Sequence, residues 1–398
     1  MLRNNYQPQI LGLPLSLIKV LVLALILRII LFFIVINSSD PFIIVDDRKY
    51  EEISQVYLQY AHSIWDWSAI YATGGDGYLQ VFWPYTICFF SKIFNTLYAG
   101  RILNIIFSLL IIVQTYKLTD LIIGKHDRSL FAAKLMAFLP YPLIFSVFNV
   151  KDFYIMLGVM YAFRIFVLWQ MGKNVKLLNV LLCIVLLVGV YFARGGVVEF
   201  VGVVFGLFFT TRFYRKKQYL LFALSIIVAV IGVFYIWDVI FEAFDKKLDN
   251  YGDLVLTANG LKMIQMHGLA DFYKLPFQYL FSIISPFTIN IFNIFYNFNW
   301  LSFLSLCNIV MLPVGFGSLF YLFMKKHNAL FYFATFAVYI AITSMVLAIF
   351  RHYFFLFFLH VISFTCFIDR ENQFAKGVMW ICSMLLLVLV LFLSFRTL

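Results

Sequence analysis

The chain has 398 residues, of which 64% are hydrophobic and 12% are charged, and its formal net charge is +11. A water-soluble domain of this length needs many more polar residues to cover its surface, so the composition excludes a soluble globular protein. The bases are scattered among apolar segments rather than gathered on one polar face, which argues against nucleic acid as a partner. We therefore expect an all-α polytopic membrane protein.

Apolar segments long enough to cross a membrane recur along the sequence. A helix needs about 20 residues to span the roughly 30 Å of bilayer hydrocarbon, and near-uncharged stretches of about 17 to 24 residues meet this requirement. They predict about eleven transmembrane helices, with interfacial helices in two long outer loops. The predicted spans are 18–37, 102–123, 129–150, 153–172, 177–193, 195–211, 219–237, 301–324, 328–350, 352–368 and 377–395.

The first apolar segment sets the expected orientation. It follows Arg3 and has no small-residue cleavage site after it, which is typical of an uncleaved signal anchor with its amino terminus inside. Short connections rich in Lys and Arg are retained on the inner side. The inner connections are then KHDR at 125–128, KNVK at 173–176, RFYRKK at 212–217 and KKH at 325–327, while the short outer ones hold the single bases Lys151, Arg194 and Arg351.

Two outer segments are much longer than simple turns. Residues 38–100 mix aromatic side chains with isolated charges, which suits helices lying along the membrane interface. Residues 238–300 begin with charges and end in an uncharged aromatic stretch, where we expect an interfacial or re-entrant helix. No repeat of about 20 to 50 residues and no linker interrupts the chain, so we expect a single integral-membrane domain over residues 1–398.

A dense cluster of charge, IVDDRKYEEIS at 44–54, follows the first span directly. Carboxylates and lone bases at outer membrane edges suit a substrate that has a lipid tail in the bilayer and an anionic headgroup at its surface. Asp46 or Asp47 is placed to deprotonate an acceptor hydroxyl, and bases at the same membrane face are placed to hold a phosphate. A lipid-linked phosphosugar has both features. The candidate phosphate-binding bases are Lys151, Arg194 and Arg351.

The order of these features resembles the GT-C superfamily of polyprenyl-phosphate-sugar glycosyltransferases, especially its protein mannosyltransferase and lipid A aminoarabinose transferase branch. The resemblance covers residues 18–200 and, more faintly, 270–370. It rests on LILRIILFF with Arg28, DDRKY with Asp46, Asp47 and Tyr50, AGRILNIIFSLL with Arg101, AAKLMAFLPYPLIFSVFNVKD with Lys151 and Asp152, LPFQYLFSIISPF, and FRHYFF with Arg351 and His352.

The resemblance implies a GT-C-like fold and an inverting sugar transfer on the extracytoplasmic face of a multi-pass protein. The donor would be a sugar on undecaprenyl phosphate in a bacterial plasma membrane, or on dolichyl phosphate in a eukaryote. The acceptor would be a glycan, a lipid or a protein, with membrane lipid around the site. The implied catalytic residues are Asp47 and Asp46. The scheme requires no cofactor and no metal, although two acids and a phosphate are together able to bind a divalent metal. From the residues and the resemblance together, the candidate substrate-binding residues are Arg194, Arg351, Lys151, Asp152, Tyr50, Arg101 and His352.

Purely structural roles compete with these assignments. Asp46 and Asp47 have the residue type of a helix N-cap. Arg28, in the middle of a span, is as readily explained by pairing inside the helix bundle, so we leave it out of the candidate site. Arg101 and Lys151 can anchor helix ends by snorkelling, and Asp152 has Lys151 beside it as an ion-pair partner.

Two other functions remain open at the sequence level. A polymerase of O-antigen or capsule repeat units is also many-spanning, but it joins lipid-diphosphate-linked repeats and depends on arginines alone. A lipid-linked oligosaccharide flippase or another transporter is the alternative that is not an enzyme. It predicts charges along a central path and related halves, and the sequence shows no such halving.

Overall fold

The computed structural model describes part of the chain, and its described residues divide into two compact units. Unit 1 comprises residues 1–195 and 299–304, and unit 2 comprises residues 196–298 and 305–398. The second long outer loop, 238–300, falls almost wholly outside the described residues, and the prediction of a single domain stays a prediction. The described residues are 9–10, 12–66, 82–194, 197–198, 201–202, 205–206, 210, 213–214, 216–227, 231, 298, 300–321, 354–370 and 373–396.

Unit 1 is built almost entirely from helices. A tight antiparallel pair of two-residue strands precedes the first helix and turns at Gly12, whose φ of 72° is in the left-handed region that glycine adopts readily. The elements are β1 (Gln9–Ile10), β2 (Leu13–Pro14), α1 (Leu15–Ile36), α2 (Val45–Tyr60), α3 (Phe82–Phe94), α4 (Ala99–Ile123), α5 (His126–Phe138), α6 (Pro140–Phe145), α7 (Asp152–Gln170) and α8 (Leu177–Ala193).

Three described helices, α1, α4 and α7, are long and apolar enough to cross a membrane. Each coincides with a predicted span to within a few residues, because a long uncharged run can satisfy its backbone in hydrocarbon only as a helix. Shorter apolar helices cover Leu177–Ala193, Asn308–Tyr321, Phe354–Asp369 and Gln373–Leu389. The chain thus has the helices that a membrane protein requires, and the number of about eleven spans stays a prediction.

The helices of unit 1 alternate in direction. At one end, the start of α2, the start of α4 and the connection between α6 and α7 lie together. At the other end, Ser16 near the start of α1 and Tyr116 in the last turns of α4 both contact His126 at the start of α5, at 3.1 and 2.7 Å. We call the first of these the polar end and the second the opposite end. Because α4 and α7 both start at the polar end, they run in the same direction.

The predicted span 129–150 is not one helix, and this expectation was wrong. Helix α5 ends at Phe138, Leu139 is extended, and Pro140 opens the short helix α6. A residue before proline is pushed out of helical geometry, and proline cannot donate the hydrogen bond that would continue the helix. Residues 146–151 then lie outside any helix although nearly all are buried.

The break in this span is stabilised from α1. Arg28 is fully buried and donates from Nη1 to the carbonyl of Ala137, at 3.2 Å, and from Nε to Ser108, at 2.7 Å. The carbonyl of Ala137 lies in the last turn of α5, where no following helical turn supplies its usual donor. Arg28 therefore has the structural role inside the bundle that we weighed for it.

Helices α2 and α3 occupy the described part of the first long outer loop. They pack against each other, and α3 also packs against α4 and α8. Lys92 in α3 reaches the end of α2, where its Nζ donates to the carbonyl of Ala61 at 2.7 Å. Helices were expected in this region, and their position at the membrane interface stays a prediction.

Unit 2 has a small packed core around α10. Gly317 allows α11 and α12 to approach, since a Cβ there would collide with Phe364 and meet the sulfur of Met379 at 3.2 Å. Ser318 lies 3.3 Å from the ring of His360 within this core. The described elements are the second half of α9 (Trp300–Cys307), a 3₁₀ turn (Asn308–Met311), α10 (Leu312–Tyr321), α11 (Phe357–Arg370) and α12 (Gln373–Arg396).

Candidate functional site at the polar end of unit 1

The polar end of unit 1 gathers most of the residues that the sequence singled out. The acids come from the start of α2, Arg101 from the start of α4, Lys151 and Asp152 from the start of α7, and Arg194 from just after α8. These positions are far apart in sequence, and the alternating helices bring them to one level. Arg351 and His352, two of the predicted substrate-binding residues, lie outside the described residues.

Asp47 is the most constrained of the acids. It lies in the first turn of α2 and is fully buried. Its Oδ1 accepts the backbone N–H of Asn149 at 2.8 Å, and its Oδ2 accepts the backbone N–H of Ile43 at 3.2 Å. Two backbone amides thus hold this carboxylate in place. The N-cap residue of α2 is Ile44, so neither aspartate is the cap.

The environment of Asp47 moves its pKa in both directions. Burial raises the pKa of this carboxyl to about 6, and the charge of Glu51 adds to that increase. The Arg101 charge and the hydrogen bonds from the amides of Asn149 and Ile43 lower the pKa and only partly offset the burial. The carboxyl is therefore half ionised near pH 6, where it exchanges a proton readily.

Arg101 is buried at the centre of the cluster rather than snorkelling to the surface. Its Nη2 lies 3.6 Å from Asp47 and 2.9 Å from Glu51, and its Nε also donates to Glu51 at 2.9 Å. The Nη1 and Nη2 groups donate to the carbonyls of Val147 and Pro41. With its guanidinium donors engaged, we interpret Arg101 as the residue that positions Asp47 rather than as a ligand for substrate.

Two aromatic rings enclose the same guanidinium. Phe42 and Phe148 each have their ring centroid 5.6 Å from the guanidinium carbon of Arg101. The face of an aromatic ring attracts a cation and excludes water from it. These rings account for the complete burial of an arginine that pairs with two carboxylates.

The non-helical segment 146–151 is the scaffold of the site. Asn104 in α4 donates from Nδ2 to the carbonyls of Phe148 and Val150, at 2.6 and 2.7 Å. Trp83 in α3 donates from its indole nitrogen to the side-chain oxygen of Asn149 at 3.2 Å. Buried backbone groups outside helices need such partners, and polar side chains of α4 supply them, while α3 holds the side chain of Asn149. The segment is thus fixed between Asp47 and the start of α7.

The start of α7 carries a second charged group. Asp152 is fully buried in the first turn, and its Oδ1 lies 3.2 Å from Nη2 of Arg194. Lys151, immediately before the helix, is also nearly buried, whereas the Arg194 side chain is 17% exposed. The N-terminal end of a helix carries partial positive charge, so two bases and this helix end favour an anion here.

The remaining predicted residues lie on α2. Asp46 is half-buried and Tyr50 is nearly buried, one helical turn further along. Asp46 is therefore more accessible than Asp47, which has no exposed surface. The sequence left open which of the two accepts the proton. Asp46 is more accessible to an acceptor, whereas Asp47 has the raised pKa.

Three residues of the cluster were missed at the sequence level. Glu51 lies four residues after Asp47 on α2, hence on the same helical face, and this spacing was a usable signal. Asn104 and Asn149 are amides within predicted spans, where polar side chains are costly and need partners. The sequence gives no signal for these partners, because those of Asn104 are 44 and 46 residues away and those of Asn149 are 66 and 102 residues away.

Metal ligation receives no direct support from this arrangement. Within the described ranges, no group of three or more His, Cys, Asp or Glu side chains comes together as a cation site would. The acids near Arg101 already have a cation as their partner. A divalent metal that bridges the carboxylates and a bound phosphate therefore stays an open prediction.

Comparison with known proteins found no matching family model, no matching curated protein and no matching solved structure.

Proposed function

We propose that this chain is an integral-membrane glycosyltransferase that moves a sugar from a polyprenyl-phosphate donor to an acceptor outside the cytoplasm. One observation carries the proposal. Acids on α2 and bases at the start of α7 and the end of α8 lie at one end of unit 1, joined through the buried segment 146–151. A phosphosugar transfer needs both a proton acceptor and a cationic phosphate site at the membrane edge.

The reaction assigns a role to each part of this end. Asp47, or Asp46, takes the proton of the acceptor hydroxyl, whose oxygen then bonds to the anomeric carbon of the donor. The bond from that carbon to the phosphate oxygen breaks, and the electron pair leaves with the polyprenyl phosphate. Lys151 and Arg194 stabilise the phosphate charge. Phosphate leaves without a general acid, so one carboxylate suffices and the configuration inverts.

The burial of Asp47 imposes a condition on this mechanism. Its carboxylate has no exposed surface, and Phe42 and Pro41 lie in the same enclosing segment. An acceptor therefore reaches Asp47 only if residues 41–47 move away from α4. Asp46 requires no such movement, and matched variants of both acids distinguish the two routes.

The first prediction concerns four variants of the full chain. Asp47→Asn is expected to lower transfer by about 10²–10⁴ with donor binding retained, because an amide keeps the shape but accepts no proton. Arg194→Ala is expected to weaken donor binding, since each charge-assisted hydrogen bond contributes about 1.5 to 3 kcal/mol. Asp46→Asn tests the alternative base. Lys173→Ala, which removes an exposed base at the opposite end of unit 1, is the matched control and should change neither quantity.

The assay incubates purified protein with radiolabelled polyprenyl-phosphate sugars and membrane acceptors. Normal turnover in both Asp46→Asn and Asp47→Asn would remove these acids from catalysis. If every such donor stayed intact while lipid-diphosphate-linked repeats were joined, the repeat-unit polymerase would replace the transferase. Movement of an intact lipid-linked glycan across vesicles, with no bond made, would assign the chain to the flippase class.

A further inference from the structure

Two bases lie together near the opposite end of unit 1, away from the proposed transfer site. Lys117 belongs to α4 and Arg164 to α7, and both side chains are half-buried. Both lie where α4 packs against α7, because Gln114, one turn before Lys117, contacts Arg164. The Arg164 guanidinium donates from Nη1 to the side-chain oxygen of Gln114 at 3.1 Å. These two bases form the feature that we call the basic pair.

The basic pair has no acidic counterpart among the described residues. No carboxylate there lies within ion-pair distance of Lys117 or Arg164, and the Nε of Arg164 is buried without a hydrogen-bond acceptor. Asp120, one turn beyond Lys117, instead accepts a hydrogen bond from Ser129 at 3.4 Å. Two like charges held together in a partly apolar place are unfavourable unless an anion joins them.

The depth of the basic pair matches a lipid headgroup. With a rise of 1.5 Å per residue, Lys117 and Arg164 both lie about 9 Å before the ends of their helices. Long basic side chains at this depth extend toward the headgroups. Trp169, five residues beyond Arg164, is 55% exposed, and tryptophan favours this level of the membrane. The charged ends of both side chains therefore have the reach to contact lipid phosphates.

An exposed apolar stripe leads along α4 to the basic pair. Ile106 and Leu110 are 47 and 43% exposed, and helical periodicity places them on the same face as Lys117. An acyl chain can lie along this stripe with its phosphate beside Lys117. A free phosphate ion would gain nothing from the stripe, which favours a lipid over a soluble anion.

We propose that Lys117 and Arg164 bind the phosphate of an anionic phospholipid, with its acyl chain along Leu110 and Ile106. The site is separate from Asp47 and the bases around it, because it lies near the opposite ends of α4 and α7. It requires no assumption about sugar transfer. The lipid supplies the negative charge that the described part of the chain does not place beside the basic pair.

The test measures lipid retention by native mass spectrometry on the full chain in an uncharged detergent. Phosphatidylglycerol is titrated against wild type, Lys117→Gln and Arg164→Gln, and each variant is expected to bind at least about tenfold more weakly. Lys19→Gln is the matched control, because it removes an exposed base near the start of α1, at the same end of unit 1. It should bind as wild type does. Lys117→Arg keeps the charge and should retain the lipid.

The outcomes separate the proposal from its alternatives. Unchanged retention in both glutamine variants, or an equal loss in Lys19→Gln, would overturn it. Retention of diacylglycerol equal to that of phosphatidylglycerol would show that the stripe alone binds lipid and would also overturn it. Displacement by inorganic phosphate at the lipid's own concentration would assign the basic pair to a free anion instead. Thermal unfolding without added lipid identifies any variant that fails to fold, and Lys117→Arg then decides the question.

Discussion

Asp47 experiences opposing effects that determine when its carboxylate can act. Burial raises its pKa to about 6, and Arg101 together with two backbone amides prevents a larger rise. At pH 7 the group is mostly ionised, so it can accept a proton, yet its basicity exceeds that of an ordinary aspartate. A single residue thereby links the packing of segment 146–151 to the proposed chemistry.

The second prediction is the pH profile of transfer. A base works in its ionised form, so the rate should rise with pH, level off above about 6, and fall about tenfold for each pH unit below that value. Glu51→Gln removes the negative charge that raises the pKa of Asp47, and the acid side of the profile should shift to lower pH. Initial rates over a pH series give both quantities.

The neighbouring acid provides the control for this experiment. Glu52 is exposed on α2, so Glu52→Gln makes the same chemical change outside the cluster. It should leave the profile where it is. A rate independent of pH between 4 and 7, where Asp47 titrates, would show that this carboxyl is not the base.

At the scale of elements, the break between α5 and α7 organises the site. A continuous helix would direct the N–H of Asn149 into its own backbone, and Asp47 would lose its shortest hydrogen bond. Gly100 at the start of α4 makes room for this segment, since a Cβ there would collide with the side chain of Asn149. The close approach of α4 to the segment therefore depends on the absence of one side chain.

The third prediction follows from that close approach. Gly100→Ala should push Asn149 away, disturb the amide bonded to Asp47, and destabilise the protein by about 1–3 kcal/mol as overpacking does. Transfer should fall with it. Gly202→Ala is the control, because a Cβ at this exposed helical position meets nothing within 4 Å. Thermal unfolding in detergent and donor binding are measured on both, and an unaffected Gly100→Ala would contradict the packing described here.

The sequence predicts the unbroken helices better than the broken one. Helices α1, α4, α7 and α8 follow from long near-uncharged runs, and their alternation predicts that Asp47, Arg101 and Asp152 share one end. The run 129–150 is as apolar as the others, so hydropathy makes it a single span. Its break depends on donors from Asn104 and Arg101, which a count of apolar residues does not register. Pro140 was the local signal for the break.

The ion pairs of the site depended on tertiary structure in the same way. The sequence led us to expect Lys151, the neighbour of Asp152, as its ion-pair partner. Arg194 follows a different helix, and no local sequence feature marks it as a partner of Asp152. Arg101 was weighed as a surface anchor for the same reason, because its partner Glu51 lies 50 residues earlier. Local spacing predicts contacts within a helix, and these contacts join separate helices.

At the scale of the whole molecule, the fourth prediction is the orientation of unit 1. Lys49 lies on α2 beside the polar end, Lys173 lies in the loop after α7, and both are exposed. Since basic short loops stay inside, a membrane-impermeant thiol reagent should label Lys49→Cys in intact cells and leave Lys173→Cys unlabelled until the cells are opened. The unsubstituted chain controls for its own cysteines. Labelling of Lys173→Cys alone would invert the orientation, and labelling of both would contradict the alternation of the helices.

Arg28 has a consequence for how the chain enters the membrane during synthesis. An arginine at the centre of a helix disfavours insertion by about 2.5 to 3.5 kcal/mol. Apart from a carbonyl in its own helix, its acceptors lie 80 and 109 residues later, in Ser108 and Ala137. The ribosome must therefore extend the chain past Ala137 before this charge can be satisfied. Until then the guanidinium has only the carbonyl of Ala24, in its own helix, as an acceptor, and the docking of α4 and α5 onto the first helix completes its hydrogen bonds.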